Sequence, residues 1–204
     1  MKPDNIIFVK HGNKYSAEHV NRLRDQLMEY YKCAYVCYTD DPIGVEIECI
    51  PCFEKPTLNL WWNKLAMFSK DFPVKGKCLY FDLDMDIKSN PSDFIKDFEG
   101  LTIINAYWKR DKFMRKHAYD VRINSSIIAW TAGEQDYIWK HFLTNKDYFM
   151  RKYKGIDRFL VHENIHHKIF NDGIVNSVAN PYGEQTPIDM YNGINYDLQR
   201  TFVS

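Results

Sequence analysis

The sequence has no excess of charge of either sign: 27 Lys and Arg stand against 27 Asp and Glu, a formal net charge of zero. That balance excludes the global positive field with which proteins grip nucleic acid or anionic membranes, and leaves such binding to a local patch. Long hydrophobic runs are missing, and no stretch approaches the length of a membrane span. The apolar run in MKPDNIIFVKHGNKYS is too short for a secretory signal, so the chain is expected to be soluble and cytoplasmic. Cysteine is sparse, five in 204 residues, and the odd count argues against a disulfide framework. Cys33, Cys37, Cys49 and Cys52 have a spacing like that of a zinc ribbon. Cys33 and Cys37, however, alternate through a strand-like run where thiols serve as small buried groups, and that reading is preferred.

What is present is an ordinary globular composition, 45% hydrophobic, 26% charged and 16% aromatic, in a length suited to one domain. NIIFVK (5–10) reads as a strand followed by a polar turn. Ser16 is placed to cap a helix whose Val20, Leu23, Leu27 and Tyr31 recur on one face, ending near Lys32. CAYVCYT and VEIECI read as strands separated by the Pro and Gly of DDPIG, and LWWNKLAMFS as a short helix. KCLYFDLD is an apolar strand ending in carboxylates, and PSDFIKDF begins with a proline suited to a first helical turn. LTIINAY and INSSIIAW are further strands, Glu134 to about Lys154 is helical, and the remainder is a loop-rich tail. Strands alternating with helices predict an α/β domain with an open, mostly parallel sheet whose ligand crevice lies beyond the carboxyl ends of the strands.

The chemistry concentrates in LYFDLDMDI. Asp82, Asp84 and Asp86 alternate at the end of a hydrophobic strand, so a common face would hold three carboxylates, which makes sense around a hard divalent cation. Like charge of that density is costly without one. A basic cluster, Lys109, Arg110, Lys112, Arg115 and Lys116, is read as a solvated face with some capacity for phosphates. His162-Glu163-Asn164-Ile165-His166 matches HExxH, the pattern of a zinc metalloprotease helix, for which Glu184 offers a third ligand. Polar His167 and Lys168 and the interruption at Asn164 count against it. Trp61, Trp62, Trp108, Trp130 and Trp139 are assigned to core or pocket wall, with Trp61 or Trp62 the candidates to face a site.

The DLD strand, the WWNKLAMF helix and INSSIIAW together resemble the small nucleotide-sugar glycosyltransferases of the GT-A fold, related to glycogenin and to bacterial lipopolysaccharide galactosyltransferases. KHGxKYSxxxVNRL resembles the start of a group of small bacterial and phage-type enzymes. The resemblance covers Ile6 to about Asn180 and implies a Rossmann-like, open, mixed but mostly parallel sheet flanked by helices. It also implies one domain, with a nucleotide-binding part over about 1–90 and a donor-sugar and acceptor part over about 91–204. Asp82 and Asp84 match the family's DxD, which binds Mn2+ or Mg2+ bridging a diphosphate, with Asp86 an extra candidate. Lys10, His11, Gly12 and Tyr15 fall where uridine is received, with Tyr15 the stacking ring, and Asp40 where base or ribose is held. Lys64 falls at a basic position that meets the diphosphate or donor sugar. Asn124 and Ser125 match an NSG that lines the sugar pocket, with Ser126 in place of its glycine. Asn192 replaces a histidine as third metal ligand, and Asp157, in Gly155-Ile156-Asp157-Arg158, is the nearest match to an acid near the reacting centre. The resemblance thus implies a metal-dependent, retaining transfer from a nucleotide sugar, a UDP-sugar for preference, to an acceptor hydroxyl. With zero net charge, a carbohydrate or small-molecule acceptor is preferred to nucleic acid. The alternatives are the HExxH protease and an inactive sugar-nucleotide-binding protein on the same fold.

Overall fold

A computed structural model describes residues 2–52, 58, 60–109, 121–179, 181 and 185–192. The first strand, β1 (Asn5–Lys10), leads to α1 (Ala17–Met28), then β2 (Ala34–Thr39) and β3 (Glu48–Pro51). A 3-10 helix over Leu60–Phe68 precedes β4 (Lys77–Phe81), β5 (Met85–Ile87), β6 (Thr102–Asn105) and β7 (Ile123–Thr131). Three helices follow, α2 (Asp136–Thr144), α3 (Lys146–Lys152) and α4 (Ile156–His162), and then β8 (Lys168–Ile169), β9 (Val175–Ser177) and β10 (Ile188–Met190).

Among the described residues the main sheet has seven strands in the order β3-β2-β1-β4-β7-β6-β8. All are parallel except β7, which runs antiparallel to β4 and β6. Alternation along the strands feeds two cores. Ile6 and Phe8 pack with α1 on one face, joined by Leu79 and Phe81. Ile7, Cys78 and Tyr80 join Trp62, Leu65, Phe68 and the aromatic residues of α2 to α4 on the other. Burial of both faces explains why the strands read as near-continuous apolar runs. The chain steps outward from β1 to β2 and β3, then returns to β4 on the other side of β1. The direction of winding reverses between β1 and β4, which opens a crevice at their carboxyl ends. Because β7 is antiparallel, its amino end meets the same crevice.

Several expectations are corrected. PSDFIKDF forms only a short turn of 3-10 helix over Pro91–Asp93. The described residues after Tyr153 form more regular structure than their Gly and Pro content implies, since they supply α4 and two of the three strands of a second sheet ordered β5-β10-β9. The strand before DLD stops at Phe81, so the three aspartates do not share a face. Asp86 lies in β5, where Arg22 of α1 binds its carboxylate and Tyr191 Oη donates to it at 3.1 Å. There it anchors β5 to α1 and to Tyr191. Cys37 and Cys49 are partners across β2 and β3, but Cys52 packs in the opposite core, so the four thiols do not gather at one point. Burial raises Cys37 to about 12 and Cys52 to about 11, which keeps both as thiols.

The HExxH reading also fails on geometry. α4 ends at His162, Asn164 takes the left-handed φ of 54°, and His166 lies outside any helix, so the two histidines are not one helical turn apart. Glu163 instead accepts hydrogen bonds from Tyr153 Oη, from His141 Nε2 at 2.9 Å and from Lys152 Nζ at 3.3 Å. Glu184 and the basic residues from Arg110 to Lys116 lie outside the described residues.

Candidate active site

A cleft of about 390 Å³ opens at the carboxyl ends of β1 and β4. That volume lies within the roughly 300–1,000 Å³ common to small-molecule sites. Its walls come from separate parts of the chain: the loop after β1 gives His11, Lys14 and Tyr15, and the residues after β4 give Asp82, Leu83 and Asp84. The start of β7 gives Asn124, Ser125 and Ser126, the entry to α4 gives Lys154 to Asp157, and Asn192 follows β10.

Asp82 sits where β4 ends, its N–H still bonded to Ser126 O at 2.8 Å. Lys64 Nζ lies 2.5 Å from Asp82 Oδ1 and donates to Ser125 O at 3.3 Å. Tyr80 Oη donates to the same carboxylate. Burial alone raises the Asp82 carboxyl, but the Lys64 charge and hydrogen bonds from Lys64, Ser126 and Tyr80 outweigh it and hold the group below the usual carboxylate range. Burial, reinforced by the charge of Asp82, pushes the Tyr80 hydroxyl well above its ordinary value, so Tyr80 remains a donor.

Asp84 is buried, and its carbonyl accepts from Tyr191 N at 3.0 Å, continuing the antiparallel pairing of β5 with β10. That pairing carries Asn192 to the cleft. Asn192 takes a left-handed φ of 53° and donates through Nδ2 to Ser177 Oγ at 2.6 Å, which leaves its carbonyl oxygen as the acceptor. Asp82, Asp84 and Asn192 thus offer oxygen donors only, a set that suits Mg2+ or Mn2+ better than zinc.

Other expected residues are placed differently. Lys10 does not line the cleft and instead donates to Asp41 O at 2.8 Å and pairs with its carboxylate at 3.2 Å. Asp40 accepts from Gly12 N at 3.1 Å and lies 3.5 Å from His11 Nε2, so Gly12 and Asp40 shape the loop after β1 without lining the cleft. Asp157 does line it, yet both its oxygens are engaged, by Ser125 N at 2.9 Å and by Lys109 Nζ at 3.0 Å. That carboxylate positions the start of β7. Asn124 Oδ1 accepts from Ser126 N at 2.9 Å, a local turn that sets the Asn-Ser-Ser segment. Lys14 and Lys154 line the cleft without having been singled out from sequence. Each lies next to a residue that was, Tyr15 and Gly155, which is the only sequence signal they carry.

The chain matches no protein-family profile, and no curated protein matches it by sequence. Its fold matches a crystal structure of the galactosyltransferase LgtC in complex with donor and acceptor sugar analogues. The TM-score is 0.66 at 12% identity, over 93% of this chain and 87% of that one. It also matches the glycosyltransferase GlyE of Streptococcus pneumoniae, with a TM-score of 0.64 at 12% identity, over 94% of this chain but only 55% of GlyE. The fold is therefore the GT-A-like one of these glycosyltransferases. Among the described residues no helix is long and apolar enough to cross a membrane.

Proposed function

We propose that this chain is a metal-dependent glycosyltransferase that moves a sugar from a uridine diphosphate sugar to an acceptor hydroxyl, with retention of anomeric configuration. The observation that carries the reading is the convergence of Asp82, Asp84 and Lys64 at the carboxyl end of β4, on a sheet shared with glycosyltransferases. Asp82, Asp84 and Asn192 would hold Mn2+ or Mg2+, which supplies charge neutralisation at the departing diphosphate. Lys64 adds a second positive charge, fixed in direction by Asp82 and Ser125 O, so little reorganisation is needed when the leaving group gains charge. His11 and Tyr15 receive the nucleoside, and Asn124 and Ser125 border the sugar. Low dielectric at the cleft floor strengthens each of these interactions.

The test is thermal unfolding with uridine diphosphate and Mn2+ together, each alone, and in excess chelator, followed by hydrolysis assays on a set of nucleotide sugars. A rise in unfolding temperature that needs both ligands, with slow hydrolysis of a uridine diphosphate sugar, is expected. Binding without hydrolysis or transfer points to a binding protein, and no metal-dependent binding overturns the reading.

A further inference from the structure

Trp62, Trp108, Trp130 and Trp139 are buried, whereas Trp61 is 44% exposed. A single exposed aromatic is ordinary on a protein surface. Trp61 is distinguished by where it stands: it forms part of the cleft wall, and its neighbour Trp62 is only 4% exposed. The 3-10 geometry of Leu60–Phe68 explains the division. With three residues per turn, Trp62, Leu65 and Phe68 fall in one row and enter the core, while Trp61 and Lys64 fall in another and line the cleft. One such turn rises about 6 Å, so the backbones of Trp61 and Lys64 are separated along the helix by roughly the width of one hexose ring.

The opposite boundary is Gly155, whose φ of 143° disfavours any side chain. A Cβ there would lie 3.4 Å from Trp61 Nε1, so a side chain at 155 would come into contact with the pyrrole side of the indole. Glycine at this position leaves that side of the ring uncovered by a side chain. The indole thus stays solvated, borders the cleft, and has a polar cleft residue, Lys64, one helical turn away. Carbohydrates bind to such a surface by laying the C–H face of a pyranose on the ring while their hydroxyls reach nearby polar groups.

We propose that Trp61 is the platform for the acceptor, a hexopyranose stacked on the indole one turn beyond Lys64. The word acceptor rests on the glycosyltransferase reading; the stacking does not. The nucleoside has its own candidate ring in Tyr15, on the loop after β1, while Trp61 meets the entry to α4.

Intrinsic fluorescence of the full chain tests this, because acrylamide reaches an exposed indole before buried ones. Methyl β-D-galactopyranoside and methyl β-D-glucopyranoside serve as probes, with sorbitol as a polyol control. At least one pyranoside should protect the quenchable tryptophan of the wild type and shift its emission to the blue. Trp61→Ala should lose pyranoside binding, measured by saturation-transfer NMR, whereas Trp61→Phe should keep it in weakened form. Affinity for uridine diphosphate with Mn2+ should stay within twofold in both variants. In transfer assays the Trp61→Ala substitution should raise the acceptor KM tenfold or more, with a much smaller change in kcat. Absence of protection by either pyranoside in a wild type that binds uridine diphosphate would overturn the proposal. So would a Trp61→Ala loss of nucleotide affinity as large as its loss of pyranoside affinity. Pyranoside protection without nucleotide binding would uphold the platform and sink the glycosyltransferase reading alone.

Discussion

The Asp157 carboxylate accepts the Ser125 backbone N–H at 2.9 Å and so ties the first turn of α4 to the start of β7. Its other oxygen takes Lys109 Nζ at 3.0 Å, and Lys109 in turn donates to Ile123 O at 2.7 Å. Lys109 is thereby withdrawn from any phosphate-binding face. The Ser125 carbonyl, held by this arrangement, is one of the groups that orient Lys64.

Replacing Asp157 with Ala should lower stability by about 1 to 3 kcal/mol, because it leaves a partly buried ammonium and an N–H without their partner. Sugar transfer should slow through kcat, while the pH profile of the remaining activity keeps its shape, since the carboxylate acts by holding Ser125 and Lys109 in place. Loss of one limb of that profile would contradict the assignment.

Asp84→Asn should abolish metal-dependent stabilisation by uridine diphosphate and turnover, with an unchanged circular dichroism spectrum. The substitution keeps the volume of the buried side chain and removes the charge that a divalent cation requires. Retention of full activity in this variant, or of wild-type activity in excess chelator, would refute the metal role.

Tyr15 lines the cleft with Lys14 Nζ 4.7 Å from the centre of its ring. Removal of a stacked ring costs about 1 to 3 kcal/mol per base, so Tyr15→Ala should weaken uridine diphosphate binding by that amount in titration calorimetry. Equal affinity of the wild type for guanosine diphosphate would speak against a uridine site.

Glu163 is held below its ordinary pKa by the Tyr153 hydroxyl first, against an opposing effect of burial, with His141 and Lys152 adding to the stabilisation of the anion. A depressed carboxylate contributes stability that is fully present above its unfolded value and is lost as pH falls through the lower folded value. Denaturant titrations should therefore show wild-type stability declining below about pH 4.5, the ordinary glutamate range. Glu163→Gln should be less stable by roughly 1 kcal/mol at neutral pH and lack this part of the acid dependence. Parallel pH curves for the two proteins would refute it.

Local chemistry made much of the scaffold legible. The alternation of NIIFVK and KCLYF marks β1 and β4, and Val20, Leu23 and Leu27 mark the buried face of α1, because side-chain direction follows backbone period in strand and helix alike. The motif at Asp82 and Asp84 was readable for the same reason: carboxylates directly after an apolar strand have to emerge at the rim of a sheet. The fate of Asp86 was not, since β5 leaves the main sheet to pair with β10 and meets Arg22 of α1. Asn192 reaches the cleft through that pairing, and Lys64 finds Ser125, 61 residues away, through the antiparallel return of β7. HENIH fails as a zinc motif because the pattern needs a helix that Asn164 terminates, as the polar residues around it implied. Periodicity fixes which way a side chain leaves its own element, whereas convergence depends on strand pairings and ion pairs between distant segments, whose energies no local stretch of sequence contains.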